Sequence, residues 1–583
     1  MARPDLIRAG GWQLADRPAP PAGRSLLLCL AAACPAAPLT HLMLNRLLAL
    51  LPLYPTLVLL LAALILIVVR LARPRFAYFW LVAAFGSAAA WPMVLLARLR
   101  LPATLPLMTW RPVELFPSSP ALLVDPVSWP YALALATLCL AVILTDVARA
   151  AEADWSAWAG CMALTALGLV AVLAGNPLTL ALAWAAIDLV ELVILLAQIL
   201  QSEVRERIVV AFSIRVIGLM LLVWASVAAR STGAELTFAN IPVQVSAYLL
   251  LAGGLRLGVL PLHLPFLREM PLRRGLGTLV RLTPAASSLM LLGRTASAGA
   301  PEPLAGLLLG LAALAALYGA AAWATAENEL EGRQYWILGM GALSFGAAVR
   351  AQPAASVAWG LALLLCGGLL FLLSARHRYL LALAGLGLLG FSALPYTPAW
   401  QGVRLYASPA GLAAVIFLLA QALLLAGYLS HVLRVEQPLS GVERWVWVIY
   451  PLGLALNPLA LFVVAWWSPL GLARALGVAR SFGETQELPS LSASWPSFAA
   501  LILVGVLIVW DRIGPRPPAL VGKILGRLFS FGWLYRFLWW VYHSIRRAVA
   551  FVNLILEGEG GILWTLLLLT LLLSLLAQQR SGG

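Results

Sequence analysis

Charge is what this sequence has least of. Only 11% of its 583 residues are Asp, Glu, Lys or Arg, against about 25% in an ordinary soluble domain. Lysine is almost absent, Lys523 being the single one among 39 basic residues. Cysteine is sparse too. Cys29, Cys34, Cys139, Cys161 and Cys366 form no CxxC pair, so neither a metal site nor a redox centre is expected. There is no GxxxxGK[ST] loop to cradle a nucleotide. The five histidines are scattered, and no nucleophile stands beside a base. These absences argue against a soluble enzyme, a disulfide scaffold and a nucleic-acid-binding module, and they leave no cofactor to expect.

What is present is apolar sequence. Hydrophobic residues make up 62% of the chain, in many runs of about 18 residues or more, long enough to cross a bilayer core. They show no period-two alternation, so they read as helices and not as a barrel. The expected fold is an all-α polytopic membrane protein with about 14 to 16 transmembrane helices. The net charge of +15 raises nucleic acid as a partner, but the cations sit in short loops between apolar runs. With Arg70, Arg73 and Arg75 placed in the cytoplasm, alternation puts Arg205, Arg207, Arg268 to Arg274, Arg333, Arg376, Arg378, Arg434, Arg444 and the stretch from Arg512 to Arg547 there as well. That asymmetry obeys the positive-inside rule and supports both the span count and the orientation.

The chain divides into six segments. Residues 1–42 are polar and then carry SLLLCLAAAC, too short to span. They read as an extension ahead of a true start at Met43, or as a signal-like segment. Residues 43–128 form a first hairpin and loop. Residues 129–267 and 268–433 form two helical bundles, and 434–510 add further helices. Residues 511–583 hold an amphipathic stretch, with Arg among Trp, Phe and Leu at helical spacing, and then a last span. Such a stretch lies in the membrane interface, as an anchor or as a lateral element gripping neighbouring subunits.

Ionisable groups inside apolar spans are costly and are therefore candidates for function. Asp188 and Glu191 sit mid-run in WAAIDLVELVILLAQ, and their i, i+3 spacing puts them on one helix face. Two carboxylates together in a low dielectric suit a proton carrier, or they bond a neighbouring helix. Arg215 follows in the next span and could pair with either. Arg256 and His263 occur in GGLRLGVLPLHLPF, where Pro261 and Pro265 interrupt a helix. Broken helices at membrane depth line cavities or lie under protein. Arg404 follows a second interruption, ALPYTPAWQGVR. These residues together suggest a polar track of the kind that passes protons or ions.

The local patterns, in order, resemble the antiporter-like subunit family of respiratory complex I, membrane-bound hydrogenases and Mrp-type cation/proton antiporters. LFPSSPALLVDPVSW resembles the family's VDxLS loop, matched at Asp125 and Ser128. AGNPLTLALAW resembles the entry to its fifth helix, and LRLGVLPLHLPF its broken seventh. ENELEGRQYWILGMGALSFG resembles a DxKRxLAYSS segment, with Arg333 at the basic position. GLLGFSALPYTPAWQG resembles the later broken helix, GxPPxxGFxGK, with Pro395 in the motif.

The resemblance covers roughly residues 45–435. It implies two inverted helical repeats with broken helices and a C-terminal lateral amphipathic helix. It also implies proton or monovalent-cation translocation within a larger complex, beside homologous subunits and a redox or antiport module, in a bacterial inner membrane. Were that complex an NADH:quinone oxidoreductase, the chain would be a non-catalytic pumping subunit. The family's relay alternates Glu and Lys, and this sequence departs from it. The fifth-helix Glu falls near Ala185, ahead of Asp188 and Glu191. Arg256 matches the seventh-helix Lys. The eighth-helix Lys falls near Ala286, and a later one near Gly367 or Gly368. Buried Lys can release a proton and Arg in effect cannot, so a non-conducting scaffold of the same fold and a stand-alone secondary transporter are the alternative readings.

Overall fold

A computed structural model describes residues 50–76, 78–109, 118–149, 154–198, 202–231, 233, 236–238, 241–260, 272–375, 377–407, 411–434, 443–467, 489–513, 532–557 and 565–571. His263, Pro261, Pro265 and the signal-like segment lie outside these residues.

The described residues are overwhelmingly helical. In chain order the helices are α1 (Tyr54–Ala72), α2 (Phe79–Ala97), α3 (Ser128–Thr145), α4 (Trp155–Val172), α5 (Pro177–Gln198), α6 (Ser202–Ser231) and α7 (Val243–Leu257). They continue with α8 (Arg274–Thr295), α9 (Glu302–Thr325), α10 (Arg333–Val349), α11 (Pro353–Leu372) and α12 (Arg378–Phe391). The last are α13 (Gly411–Leu433), α14 (Val446–Trp467), α15 (Trp495–Ile513) and α16 (Gly532–Glu557). One antiparallel strand pair, Ala103–Pro106 with Ala121–Val124, closes the loop before α3.

Twelve described helices are long and apolar enough to cross a membrane, and the chain is a multi-pass membrane protein. Two further apolar helices, Val243–Leu257 and Tyr379–Phe391, are shorter, and most of the last span expected from sequence, 561–578, lies outside the described residues. In the apolar run over 245–267 a helix ends at Leu257, where Gly258 adopts a left-handed conformation with φ 76°, the usual helix-ending geometry; residues 261–267 lie outside the described ones. The run over 379–395 gives a helix to Phe391, followed by Ala393 at φ 58° and Tyr396 at φ 64° on either side of Pro395. Positive φ in non-glycine residues is strained and persists only where the surroundings impose it.

The neighbour pattern of α4–α8 recurs in α9–α13. In each set of five, successive helices pack together and the first also packs on the fifth, α4 on α8 and α9 on α13. The fourth helix of each set is the one that stops short. The last helix of the first set, α8, touches α3, α4, α5, α7, α10 and α11 and is buried from Gly275 to Thr295. By contrast α1, α2, α6 and α15 are mostly uncovered by protein, leaving leucines such as Leu61 and Leu64 for lipid. The α16 helix carries Arg536, His543 and Arg547 at i, i+7 and i+11, one face of a helix, with Trp540 and Phe551 exposed beside them.

Without an aqueous hydrophobic drive, helix contacts in lipid depend on close packing of small residues. One such contact joins α9 to α10. A Cβ on Gly319 would come within 2.6 Å of the Gly339 backbone nitrogen. Gly310, on the same helix, meets nothing within 4 Å. Gly319→Leu should therefore lower thermal stability in detergent by about 1–3 kcal/mol or more, the usual effect of overpacking, and Gly310→Leu should leave it unchanged. Equal shifts in the two variants would refute this account of the α9–α10 contact.

Candidate functional site

The mid-span charges predicted from sequence meet in one place. Asp188 and Glu191 on α5 are 3% and 2% exposed. Arg256, at the end of α7, grips Asp188 with both terminal nitrogens: Nη1 donates to Oδ2 at 2.6 Å and Nη2 to Oδ1 at 2.8 Å. This is the fork geometry in which guanidinium and carboxylate match best. The Arg256 guanidinium also lies over the Trp184 ring, 4.2 Å from its centre, and Trp184 Nε1 donates to Ser287 on α8 at 2.8 Å. Arg215 on α6 hydrogen-bonds Glu191 and stands 3.7 Å from Asp188, so a single cation is shared between the two carboxylates.

The cluster has a further member that the sequence reading did not single out. Arg281 on α8 lies 3.8 Å from Glu191. Its guanidinium also donates to the Gln334 side-chain oxygen on α10, with the amide turned to accept, at 2.6 to 3.1 Å. The signal was available: GTLVRLTPAASS places an arginine within an apolar run. Three guanidiniums thus surround two carboxylates, on α5, α6, α7 and α8, and Gln334 extends the hydrogen-bonded chain to the second set of helices.

Arg281 belongs to a pattern along α8. Each arginine of that helix with a described ion pair meets an acid from a different part of the chain. Arg274 donates to Glu329 at 2.7 Å and to the carbonyls of Phe371 and Leu373. Arg281 reaches Glu191, and Arg294 stands 3.2 Å from Asp125. Glu329 lies in the loop between α9 and α10. Its burial pushes the carboxyl up, but Arg274 and backbone donors outweigh that, with His431 adding to them, and hold it below its ordinary value.

The other residues singled out from sequence serve elsewhere. Asp125 and Ser128 build the turn into α3: Asp125 Oδ1 accepts from the Val127 and Ser128 amides, and Ser128 Oγ donates to the Leu123 carbonyl at 2.9 Å. Arg333 is buried at the start of α10, with Nε donating to the Leu330 carbonyl at 3.3 Å. Arg404 is half-buried on the short helix Trp400–Tyr406, after the second break.

Two outcomes follow. Removing one member of a buried pair strands the other, at about 3–5 kcal/mol, whereas replacing both by apolar residues is often neutral. Asp188→Leu alone should destabilise the protein by about that amount, and Asp188→Leu with Arg256→Met should recover most of it; thermal unfolding in detergent reads both, and a double variant as unstable as the single one would count against the pairing. For Glu329 the folded carboxyl titrates below its unfolded value. Its contribution is therefore complete above about pH 4.3, the unfolded pKa, and is lost as pH falls through the lower folded value. Glu329→Gln should flatten that acid limb of the stability curve, and an unchanged limb would contradict the assignment.

No family model matches the sequence, and no curated protein matches it. Solved structures do match. A chain of the Mrp complex from Dietzia sp. DQ12-45-1b aligns with a TM-score of 0.63 and 15% identity over 91% of this chain and 63% of that one; this chain therefore spans less than two thirds of that relative's length. A chain of the membrane-bound sulfane sulfur reductase, an archaeal respiratory membrane complex, aligns with a TM-score of 0.61 and 16% identity over 91% of this chain and 99% of that one. A chain of respiratory complex I from Thermus thermophilus with bound aureothin aligns with a TM-score of 0.54 and 17% identity over 72% of this chain and 99% of that one. At such identities the likeness is one of fold, and the fold is that of membrane subunits of Mrp, sulfane sulfur reductase and respiratory complexes, as the sequence motifs implied.

Proposed function

We propose that this chain is a proton-translocating subunit of a larger respiratory or antiporter-type membrane complex, with homologous membrane subunits as neighbours, and that a bacterial inner membrane is its location. The observation that carries the proposal is the sharing of Arg215 between Asp188 and Glu191 deep within the helices. Burying ions costs several kcal/mol each, and well-packed apolar residues commonly serve stability as well or better. Stability therefore gives no reason for two acids and three arginines to be kept inside apolar spans, whereas moving charge does.

The chemistry assigns different roles to the two kinds of residue. A guanidinium stays protonated, so Arg215, Arg256 and Arg281 act as fixed charges. Protons then travel on the carboxylates and on water. Asp188, clamped at both oxygens by Arg256, is the anchored partner. Glu191, held by Arg215 with Arg281 at 3.8 Å, is the exchanging one. When Glu191 takes a proton its hold on Arg215 weakens, and Arg215 turns to Asp188. When the proton leaves, Arg215 returns. Arg281 and Gln334 lead from Glu191 toward α10, the direction in which a proton would continue.

A second reading, a scaffold that kept the fold and lost conduction, is favoured by one observation: every described basic partner of the two acids is Arg. One experiment separates the two readings. Purified complex is reconstituted in liposomes and proton flux is measured for wild type, Asp188→Asn and Glu191→Gln, with subunit composition checked in each preparation. Translocation predicts flux near the level of empty liposomes in Glu191→Gln and strongly reduced flux in Asp188→Asn. Unchanged flux in both, or an intact wild-type complex that passes no protons, would leave the scaffold.

A further inference from the structure

Ser87, Thr145, Thr165 and Thr295 each donate to the carbonyl four residues back in their own helix, the common use of a hydroxyl within a helix. Ser497, in the first turn of α15, does otherwise. Its Oγ donates to the Ala393 carbonyl at 2.6 Å, 104 residues away in sequence. One turn earlier, Ser494 Oγ accepts from Trp400 Nε1 at 2.8 Å. Helix α15 belongs to neither set of five and is mostly uncovered by protein. Ser494, Ser497, Ala500 and Val504 are among its buried positions, at three- and four-residue steps that share one face. The helix packs on α13 and on the short helix Trp400–Tyr406.

What Ser497 touches is the break in α12. A helix that stops at membrane depth leaves backbone carbonyls in need of donors. Here the break also contains Ala393 at φ 58°, a conformation that an alanine keeps only where its surroundings impose it. The φ and ψ of a residue are fixed by the two rigid peptide planes beside it, and both planes beside Ala393 are pinned from outside α12. The preceding plane carries the Ser392 carbonyl, which accepts from Gln421 Nε2 on α13 at 3.2 Å. The following plane carries the Ala393 carbonyl, held by Ser497. Gln421 is oriented in turn by Tyr406, whose Oη donates to Gln421 Oε1 at 2.7 Å. Ala393, Gln421 and Ser497 are all 0% exposed. Further along, Trp359 on α11 donates to the Gly402 carbonyl at 3.2 Å, and Arg350 at the end of α10 donates to the Leu405 carbonyl at 2.6 Å. Of the elements that hold the break, α15 alone comes from outside the second set.

We propose that Ser497 is a positioning residue for translocation: its bond to the Ala393 carbonyl holds the α12 break in its left-handed turn, which makes α15 a working part of the second set of helices. The functional half of this statement rests on the translocation reading above. Strained backbone is concentrated at working sites, and broken helices at membrane depth line cavities or lie under protein. Ser497 itself carries no proton and acts only through the backbone of the break. Without its hydroxyl the Ala393 carbonyl loses this donor, and Ala393 can leave the left-handed region for the conformations an alanine prefers.

The test uses the whole purified complex in liposomes and reads proton flux together with amide hydrogen exchange over residues 392–399, with thermal unfolding as a check on assembly. Ser497→Ala should speed exchange at the break about tenfold, the scale of one hydrogen bond, and lower flux several-fold. Ser497→Thr keeps the hydroxyl and should stay near wild type. Ala393→Gly added to Ser497→Ala should restore much of the lost flux, because glycine takes positive φ without strain; a serine that acted by packing alone would show no such rescue. Wild-type exchange in Ser497→Ala, faster exchange with unchanged flux, or a loss of flux that Ala393→Gly does not relieve would overturn the proposal. A wild-type complex without flux would end the translocation reading and the functional half with it, while the exchange would still decide whether Ser497 holds the break.

Discussion

The arrangement of this protein depends on one buried helix that carries charge. In α8, Arg281 and Arg294 are buried and Arg274 is partly so, and a buried guanidinium is costly unless the protein supplies it with an acid. The acids come from the α9–α10 loop, from α5 and from the turn into α3. Placing α8 therefore places those three elements. The same helix supplies Ser287 to Trp184, and Trp184 in turn lies under Arg256. The charged cluster and the packing of the first set of helices are in this sense one structure.

Much of the fold could be read from the sequence, because membrane spanning is a demand on length and apolarity and both are local properties. The pairing of Asp188 with Glu191 on one helix face, and the capture of Arg215 by them, followed from spacing and from the cost of a lone buried charge. The partners of Arg281 could not be read in the same way. Whether an arginine in an apolar run meets α5 or α10 depends on which helices lie beside it, and spacing within one helix does not report that. Where a helix ends is also set by backbone conformation that composition does not report. Proline marks a break in sequence, but α7 already stops at Gly258, through backbone conformation rather than through a missing donor.

The two sets of five helices share a neighbour pattern and differ in chemistry. The first holds two acids among arginines that cannot give up a proton. The second holds neutral groups around Gly367 and Gly368. Under the proposed function, proton movement in the first set alternates a carboxylate between partners while the arginines keep the site charged and polar. Both sets do without the lysines that the family resemblance led us to expect, and Gln334 is the described side chain that links Arg281 to the second set.

The most direct test of this account is whether Glu191 changes protonation as protons cross. Infrared difference spectra of the reconstituted complex, taken across pH and during turnover, report protonated carboxyl groups directly. The account predicts a carboxyl signal in wild type that rises and falls with transport and is missing from Glu191→Gln. Steady proton transport with both Asp188 and Glu191 ionised throughout would contradict it.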